Sequence, residues 1–159
     1  MTIFIGADHR GFVFKGRIIA ALKALGHEVV DVGTYELEPA CDYPALSFEV
    51  GRSVAAHKNS RGILVCLTGI GHSIAANKVK GAYAALCYSK EAAELSRRHN
   101  NSNVLVLGSN FVSENTLMEI IRVWLETPFD GGRHLRRTRQ IQDFEKKVFE
   151  GPSKTKGKK

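Results

Sequence analysis

The 159-residue chain lacks long apolar runs, paired cysteines and zinc-ligand spacings. No apolar run approaches the roughly 18 residues that a membrane-spanning helix needs. Its three cysteines, Cys41, Cys66 and Cys87, lie far apart. An odd number without a secretion signal argues against a disulfide framework. The first residues, MTIFIGADHRG, lack the apolar core of a signal peptide, so we expect a cytoplasmic protein.

Positive charge is unevenly distributed. The formal net charge is +7, but four lysines lie within the last nine residues, GPSKTKGKK, so the rest of the chain carries only +3. Segment 151–159 has no apolar residue to bury, and we expect a disordered basic tail there. The remaining excess lies in RHLRRTRQ, residues 133–140. This short cluster suits a small anion at least as well as nucleic acid, for which no interleaved aromatic stripe is present.

Short apolar segments alternate with helical patterns along the chain. The patterns predict strands over 2–8, 28–33, 63–66, 82–88 and 103–108, and helices over 11–25, 44–57, 72–79, 89–99, 113–126 and 133–149. Strands separated by helices form parallel sheets covered on both faces. The chain is therefore predicted to be an α/β protein: a three-layer α/β/α sandwich with a Rossmann-like five-stranded parallel sheet. We expect one domain over 1–150, whose last helix packs on it or reaches to a partner subunit.

Ligands of such sheets bind at the carboxyl ends of the strands. Asp8 and His9 lie at the end of the first strand, at this ligand-binding edge, so we do not expect them to belong to the core. The turn TGIG, residues 68–71, places backbone N–H groups before a helix, where they favour a phosphate or a developing oxyanion. The alternative is that its glycines only shape the turn.

Cys66 and His72 flank this turn. Cys66 ends a strand and faces the start of a helix, and we expect positive potential there to lower the pKa of its thiol and make it a base or nucleophile. The alternative is that Cys66 is only a buried strand residue. His72 lies where the helix dipole disfavours protonation, so a neutral ring able to act as a base is expected. Its alternative is an exposed surface histidine.

Two polar segments complete the candidates. His99 ends a helix beside asparagines, where it either binds a sugar ring oxygen or caps the helix. Arg133, Arg136 and Arg137 share one helix face by their spacing, and could clamp a phosphate or form a solvated basic face.

Several motifs in fixed order resemble the type B ribose-5-phosphate isomerases, a family that also includes galactose-6-phosphate isomerase subunits. They are ADHRGF, DVGT, DYP, TGIGHSIAANK, LSRRHNNSNVLVLG and GGRHLRR, and they cover about residues 2–147. The resemblance implies an aldose–ketose isomerase of the pentose phosphate pathway without metal or cofactor. Such an enzyme interconverts D-ribose 5-phosphate and D-ribulose 5-phosphate through an enediolate. The resemblance also implies a homodimer or tetramer with active sites shared between subunits.

The resemblance assigns roles to individual residues. Cys66 matches the catalytic base, and His99 matches the ring-opening acid/base. The remaining catalytic positions are Thr68 and His72. The substrate-binding positions, which include the amide-lined anion hole over 67–71 and the phosphate end, are Asp8, His9, Tyr43, Leu67, Gly69, Ile70, Gly71, Asn100, Asn110, Arg133, His134 and Arg137. The resemblance places Arg133 and Arg137 on the other subunit.

Three residues depart from the family pattern. Leu67 replaces a glycine, which costs about 1–2 kcal/mol if the backbone there needs a positive φ, and its side chain could crowd the anion hole. His72 replaces an apolar residue, at the position where a second branch of the family has a glutamate base. Asn110 replaces an arginine that binds the phosphate.

The residues leave other functions open. An isomerase of a six-carbon aldose phosphate, such as allose or galactose 6-phosphate, shares the same chemistry. A catalytically weak sugar-phosphate-binding homologue is motivated by Leu67 and Asn110. A nucleic-acid-binding module is suggested by charge alone and ranks last.

Overall fold

The computed structural model of the protein describes residues 1–37 and 41–150. Its strands are β1 (Thr2–Ala7), β2 (Glu28–Asp31), β3 (Ser60–Cys66), β4 (Ala84–Leu86) and β5 (Val104–Gly108). Its helices are α1 (Phe12–Ala24), α2 (Tyr43–Ala56), α3 (Ile70–Ala76), α4 (Lys90–Asn100), α5 (Glu114–Glu126) and α6 (Gly132–Glu150). Within these ranges no helix combines the length and the apolar character needed to cross a membrane.

All five strands are parallel, in the order β2-β1-β3-β5-β4. Alternate residues of the central strands enter opposite cores, because side chains of a strand point to alternate faces. Ile63 and Val65 pack with buried residues of α1, α4 and α5, whereas Leu64 packs with residues of α2 and α3. This confirms the predicted three-layer α/β/α sandwich.

Each strand differs from its predicted bounds: β1 and β5 by one residue, the end of β2 by two, and β3 and β4 for clear reasons. β3 begins earlier, at Ser60, because its polar first residues pair with β1, Thr2 opposite Ser60. β4 is shorter than predicted because asparagine side chains replace part of its ladder. The Tyr83 N–H donates to Asn103 Oδ1 at 2.7 Å, and the Ala84 N–H donates to Asn77 Oδ1 at 2.9 Å.

The last helix lies against α4 and the segment that precedes β4. Tyr83 Oη donates to Glu145 Oε2 at 2.8 Å, and the Gly81 N–H donates to Glu145 Oε1 at 3.4 Å. The single domain over 1–150 stays a prediction, and the expected basic tail, 151–159, lies outside the described residues.

The turn after β1 is pressed against the end of β3. The Gly11 N–H donates to Asp8 Oδ1 at 3.0 Å, and a Cβ at Gly11 would lie 2.2 Å from the carbonyl oxygen of Val65. Only a residue without a side chain fits there. This close approach sets the position of Asp8 beside the last residues of β3.

We predict that Gly11→Ala lowers the free energy of unfolding by about 2 kcal/mol or more, because backbone must move to relieve the contact. Gly16→Ala in α1 is the matched control: its Cβ meets nothing within 4 Å. Alanine is the better helix former, so this variant should gain about 0.5–1 kcal/mol. Urea denaturation of both variants measures the difference, and equal effects would contradict the close approach.

Candidate active site

Three polar side chains meet at the carboxyl edge of the sheet, and we call Asp8, Cys66 and His72 the carboxyl-edge cluster. One nitrogen, sulfur or oxygen atom of each lies within 4.8 Å of those of the other two. Ala7 is the last residue of β1 and pairs with Val65 near the end of β3. The residues that follow them, Asp8 and Cys66, are therefore neighbours. His72 joins them from the first turn of α3.

Backbone N–H groups of the turn between β3 and α3 lie around the thiol of Cys66. The Gly69 N–H donates to Cys66 Sγ at 3.0 Å, and the Ile70 N–H donates to Thr68 Oγ1 at 3.3 Å. Gly69 has a φ of +81°, and a Cβ there would lie 2.4 Å from Leu86 Cδ1. Gly69 is thus required both by the backbone conformation and by the lack of space. The N–H group of Gly71 is left without a helical partner because it lies in the first turn of α3.

Burial dominates the ionisation of Cys66, which is 7% exposed. Desolvation raises the pKa of its thiol above the ordinary value, and the charge of Asp8 acts in the same direction. Hydrogen bonds from the backbone of Gly69, Thr68 and His72 lower the pKa but do not compensate. The predicted lowering of the Cys66 pKa was wrong, because the loss of water outweighs the oriented amides.

His72 is fully buried, so the alternative of an exposed surface histidine was wrong. Ser47 Oγ donates to the Tyr43 carbonyl oxygen at 2.9 Å and lies 2.7 Å from His72 Nδ1. If the Ser47 hydroxyl hydrogen goes to Tyr43, Ser47 accepts from His72, and Nδ1 carries the ring proton. In that tautomer the lone pair is on Nε2, which is buried and has no hydrogen-bond partner among the described residues.

The His72 ring is neutral at pH 7, as expected, but the main cause is burial rather than the helix dipole. Desolvation lowers its pKa to about 4, against the opposing charge of Asp8. The Tyr43 ring meets the imidazole edge-on, with 5.6 Å between ring centroids. A Cβ at Gly71 would lie 2.6 Å from Tyr43 Cζ, so the glycine leaves room for this ring.

Leu67 and Asn110 lie at the outer side of the same turn. Leu67 is 39% exposed, and its carbonyl oxygen accepts the Asn110 N–H at 3.0 Å. In residues 1–37 and 41–150, the non-glycine residues with positive φ are Asn59 and Asn101. The strain considered for Leu67 is therefore absent; the leucine is accommodated because the left-handed conformation falls on Gly69 instead.

Further predicted residues lie around this edge. Asp8, 9% exposed, is more buried than expected, because its Oδ1 accepts the N–H groups of Arg10 and Gly11. His9 is partly buried, and its Nδ1 has no hydrogen-bond partner within the described ranges. Ile70 is exposed at the start of α3.

A second group lies where α4 ends and α6 begins, and we call it the amino-edge cluster. Its members are His99, Asn100, Asp130, Arg133, His134 and Arg137. The His99 and His134 rings stack with centroids 4.2 Å apart, and Arg133 Nε donates to His134 Nε2 at 3.4 Å. Desolvation lowers the pKa of His134, and the electrostatic influence of the neighbouring His99, Arg133 and Arg137 acts in the same direction.

The two clusters lie at opposite edges of the sheet. α4 follows β4 and runs back toward the amino ends of the strands, so His99 comes shortly before β5 begins. The carbonyl oxygen of Asn103 accepts the Gly62 N–H near the start of β3, four residues before Cys66. Four strand residues span about 13 Å. No hydrogen bond, ion pair or ring contact of the described residues joins the clusters, so one chain does not bring Cys66 and His99 together.

Sequence reasoning missed Ser47 and Asp130. Ser47 lies four residues after Tyr43, on the same face of α2, which is the signal that places it beside the site. Asp130 binds Arg98 Nε with both carboxylate oxygens, at 3.2 and 3.1 Å. No local pattern indicates that contact, because 32 residues separate the partners.

We predict that Leu67→Gly lowers the free energy of unfolding by about 0.5–1 kcal/mol, because glycine adds backbone entropy to the unfolded chain and no strain is relieved. Gly69→Ala, the comparison variant, should lose at least about 2 kcal/mol through its positive φ and the Leu86 contact. Chemical denaturation measures both. A stabilising Leu67→Gly would show that the leucine is strained after all.

We also predict that His72 makes the protein sensitive to acid. The unfolded state binds a proton on this ring below about pH 6.5, whereas the folded state does so only near its pKa of about 4. Stability from this residue is therefore complete above pH 6.5 and falls by about 3 kcal/mol as the pH drops to 4. Unfolding free energies of the parent and of His72→Leu, measured across this window, should diverge. Parallel curves would contradict the buried neutral ring.

A sequence profile described as Ribose/Galactose Isomerase matches residues 3–141. Ribose-5-phosphate isomerase B of Escherichia coli (strain K12) is 42% identical over 145 residues, which is 91% of this chain and 97% of that protein. Ribose-5-phosphate isomerase B of Clostridium thermocellum has a similar structure, with a TM-score of 0.90 and 43% identity, covering 93% of this chain and 99% of that one.

The structure of ribose-5-phosphate isomerase B of Mycoplasma genitalium, which holds bound ribulose-5-phosphate, is also similar. Its TM-score is 0.88 at 42% identity, and the match covers 91% of this chain and 96% of that chain. The matched span includes both edge clusters, and the identities extend over nearly the full length of each relative. This chain therefore belongs to the ribose/galactose isomerase family.

Proposed function

We propose that this protein interconverts D-ribose 5-phosphate and D-ribulose 5-phosphate at a site built from two copies of the chain. The observation that carries the proposal is the carboxyl-edge cluster, where a thiol, a carboxylate and a turn of backbone amides converge. The relatives named ribose-5-phosphate isomerase B, one of them with bound ribulose-5-phosphate, support this choice of substrate.

The isomerisation moves a proton from C2 to C1 of the sugar. A sugar C–H is a weak acid, so a base must act beside groups that stabilise the negative enediolate. The Cys66 thiolate takes the C2 proton, the C–H electron pair forms the C1–C2 double bond of the enediolate, and the carbonyl π pair moves onto O1. Amides of the turn over 67–71 hold the enediolate oxygen. The thiol then returns the proton to C1, while the hydroxyl proton moves from O2 to O1 beside Thr68.

His72 supplies an acceptor for the thiol proton of Cys66. Burial keeps Cys66 protonated at neutral pH, so the thiolate must be formed within the site. A ring nitrogen of His72 lies within 4.8 Å of the sulfur, and Nε2 has no hydrogen-bond partner among the described residues. Ser47 positions the ring through its 2.7 Å contact with Nδ1. The transfer is uphill for two buried groups, and the attraction between thiolate and imidazolium offsets part of that cost.

The remaining groups come from a second copy. Because His99 lies at the amino edge of its own sheet, it can reach only the Cys66 of another chain. We assign ring opening to His99 and sugar contact to Asn100 of that copy, with Asp8 and Tyr43 from the first. His9 of the first copy and Arg133, Arg137 and His134 of the second bind the phosphate, in the absence of the family arginine at Asn110.

An apolar stripe on α6 supports such an association. Ile141, Phe144 and Val148 are exposed and share one face of this helix by their spacing, and apolar surface of this kind marks protein interfaces. We propose a homodimer, or a tetramer made of two such dimers. The proposal includes a cytoplasmic location, where free thiols such as Cys66 stay reduced. An isomerase of a six-carbon aldose phosphate remains the second candidate for the same site.

We predict that the purified protein isomerises ribose 5-phosphate and that Cys66→Ala lowers kcat at least about 1,000-fold, since it removes the base. His72→Leu should lower kcat less, and its loss should shrink as the pH rises and hydroxide removes the thiol proton. Cys41→Ser is the control thiol. Allose 6-phosphate and galactose 6-phosphate are assayed beside the pentose. Absence of turnover on ribose 5-phosphate would refute the proposal, and an active Cys66→Ala with a dead His72→Leu would make His72 the base.

The shared site is tested in the same assay by mixing two inactive variants. Cys66→Ala and His99→Asn chains are unfolded together and refolded, so that mixed dimers form. Each mixed dimer has one site with both substitutions and one with neither, which gives about a quarter of the parent activity for random pairing. If Cys66 and His99 of the same chain formed the site, mixing would restore nothing.

A further inference from the structure

We propose that Asp8, Cys66 and His72 also form a binding site for a thiophilic divalent cation, with Zn²⁺ as its probe, and that a bound ion reversibly stops the isomerase. The binding claim stands on the cluster alone, and only the inhibition rests on the proposed function. The ion is not a resident cofactor of the reaction.

The cluster offers one sulfur, one imidazole nitrogen and one carboxylate oxygen, the donor types that zinc prefers in proteins. A tetrahedral zinc with bonds of about 2.0–2.3 Å holds its ligand atoms roughly 3.3–3.7 Å apart. The donor atoms of the cluster already lie within 4.8 Å of one another, so side-chain movements of about 1 Å close the site. Three protein ligands leave the fourth position to water.

The state of His72 is the second, independent sign of a ligand. Its ring is fully buried, yet Nε2 has no hydrogen-bond partner within the described residues. An unsatisfied buried polar atom is costly unless something binds it. In the tautomer in which Ser47 accepts from Nδ1–H, the lone pair is on Nε2, which is the form that coordinates a metal through this atom.

Hydrogen bonds from the backbone also hold the side chains of Asp8 and Cys66 in place. Asp8 Oδ1 accepts the N–H groups of Arg10 and Gly11, while among the described residues no such bond occupies Oδ2. The Gly69 N–H fixes the sulfur of Cys66. When the sulfur–metal bond forms, the thiol proton leaves to solvent. The same atoms then cannot serve as base and proton acceptor, so binding and catalysis exclude each other.

The amino-edge cluster shows why the proximity of donor atoms is not by itself sufficient for a metal site. His99, Asp130 and His134 also have donor atoms within 4.8 Å of one another. However, Arg98 binds both oxygens of Asp130, and Arg133 Nε donates to His134 Nε2. Neighbouring arginines repel a cation, and the stacked rings would have to separate. This second trio therefore serves as an internal comparison.

The test uses the reduced, chelator-treated full chain. Calorimetry with Zn²⁺ should give one tight site per chain, and Co²⁺ should produce the near-ultraviolet charge-transfer band of a cobalt–thiolate bond. Cys66→Ala should abolish the band. His72→Leu should weaken Zn²⁺ binding about 100-fold, and Asp8→Asn should weaken it about 10-fold. Cys41→Ser and Asp130→Asn are the controls and should leave affinity unchanged.

Thermal unfolding without metal checks that each variant is folded, and added Zn²⁺ should raise the Tm of the parent but not of Cys66→Ala. Zn²⁺ should stop turnover over the range in which it binds, and a chelator should restore it. Unchanged affinity in His72→Leu would reduce the site to a lone thiol and overturn the proposal, as would a tight site lost in Cys41→Ser or Asp130→Asn. If the metal-free parent isomerises nothing, the proposed function fails, while the cobalt band still decides the metal site.

Discussion

The parallel pairing of β1 with β3 is the constraint on which the site depends. Ala7 pairs with Val65, so the next residue of each chain segment, Asp8 and Cys66, lies beside the other. The contact between Gly11 and the Val65 carbonyl leaves no space for a side chain at residue 11, and the Leu86 side chain leaves none at Gly69 in the second turn. The chemistry of the edge is therefore set by backbone contacts before any side chain of the site is considered.

Burial has opposite consequences for the two titratable groups that face each other there. It raises the pKa of the Cys66 thiol and lowers that of the His72 ring, because the neutral form of each is favoured away from water. Both groups are thus neutral at pH 7, and the resting site contains a protonated sulfur beside an unprotonated nitrogen. Such a pair is poised for proton transfer without holding two buried charges, which would destabilise the empty protein.

The fold could be predicted from the sequence, and so could the meeting of residues after β1 and β3 at one edge of the sheet, but not the burial of that edge. Alternation of apolar segments with helices indicated the five strands, because each has to be buried on both faces. The pKa of Cys66 was mispredicted because the helix start is visible in the sequence, whereas burial depends on elements distant along the chain. Strain at Leu67 could only be predicted conditionally for a similar reason: a glycine-rich turn does not reveal which position takes the positive φ. The spacing of Ser47 from Tyr43 indicates a shared face of α2, but its contact with His72 follows from the packing of α2 against α3.

The separation of the two clusters follows from the same topology that creates the first one. A helix that connects two parallel strands must return from the carboxyl edge to the amino edge, so the end of α4 and the start of α6 lie away from Cys66. Residues at both edges can act on one small molecule only if a second copy turns its amino edge toward the first. We therefore infer that association is a requirement of the chemistry rather than an addition to it, with α6 carrying both the polar cluster at its start and the apolar stripe farther along.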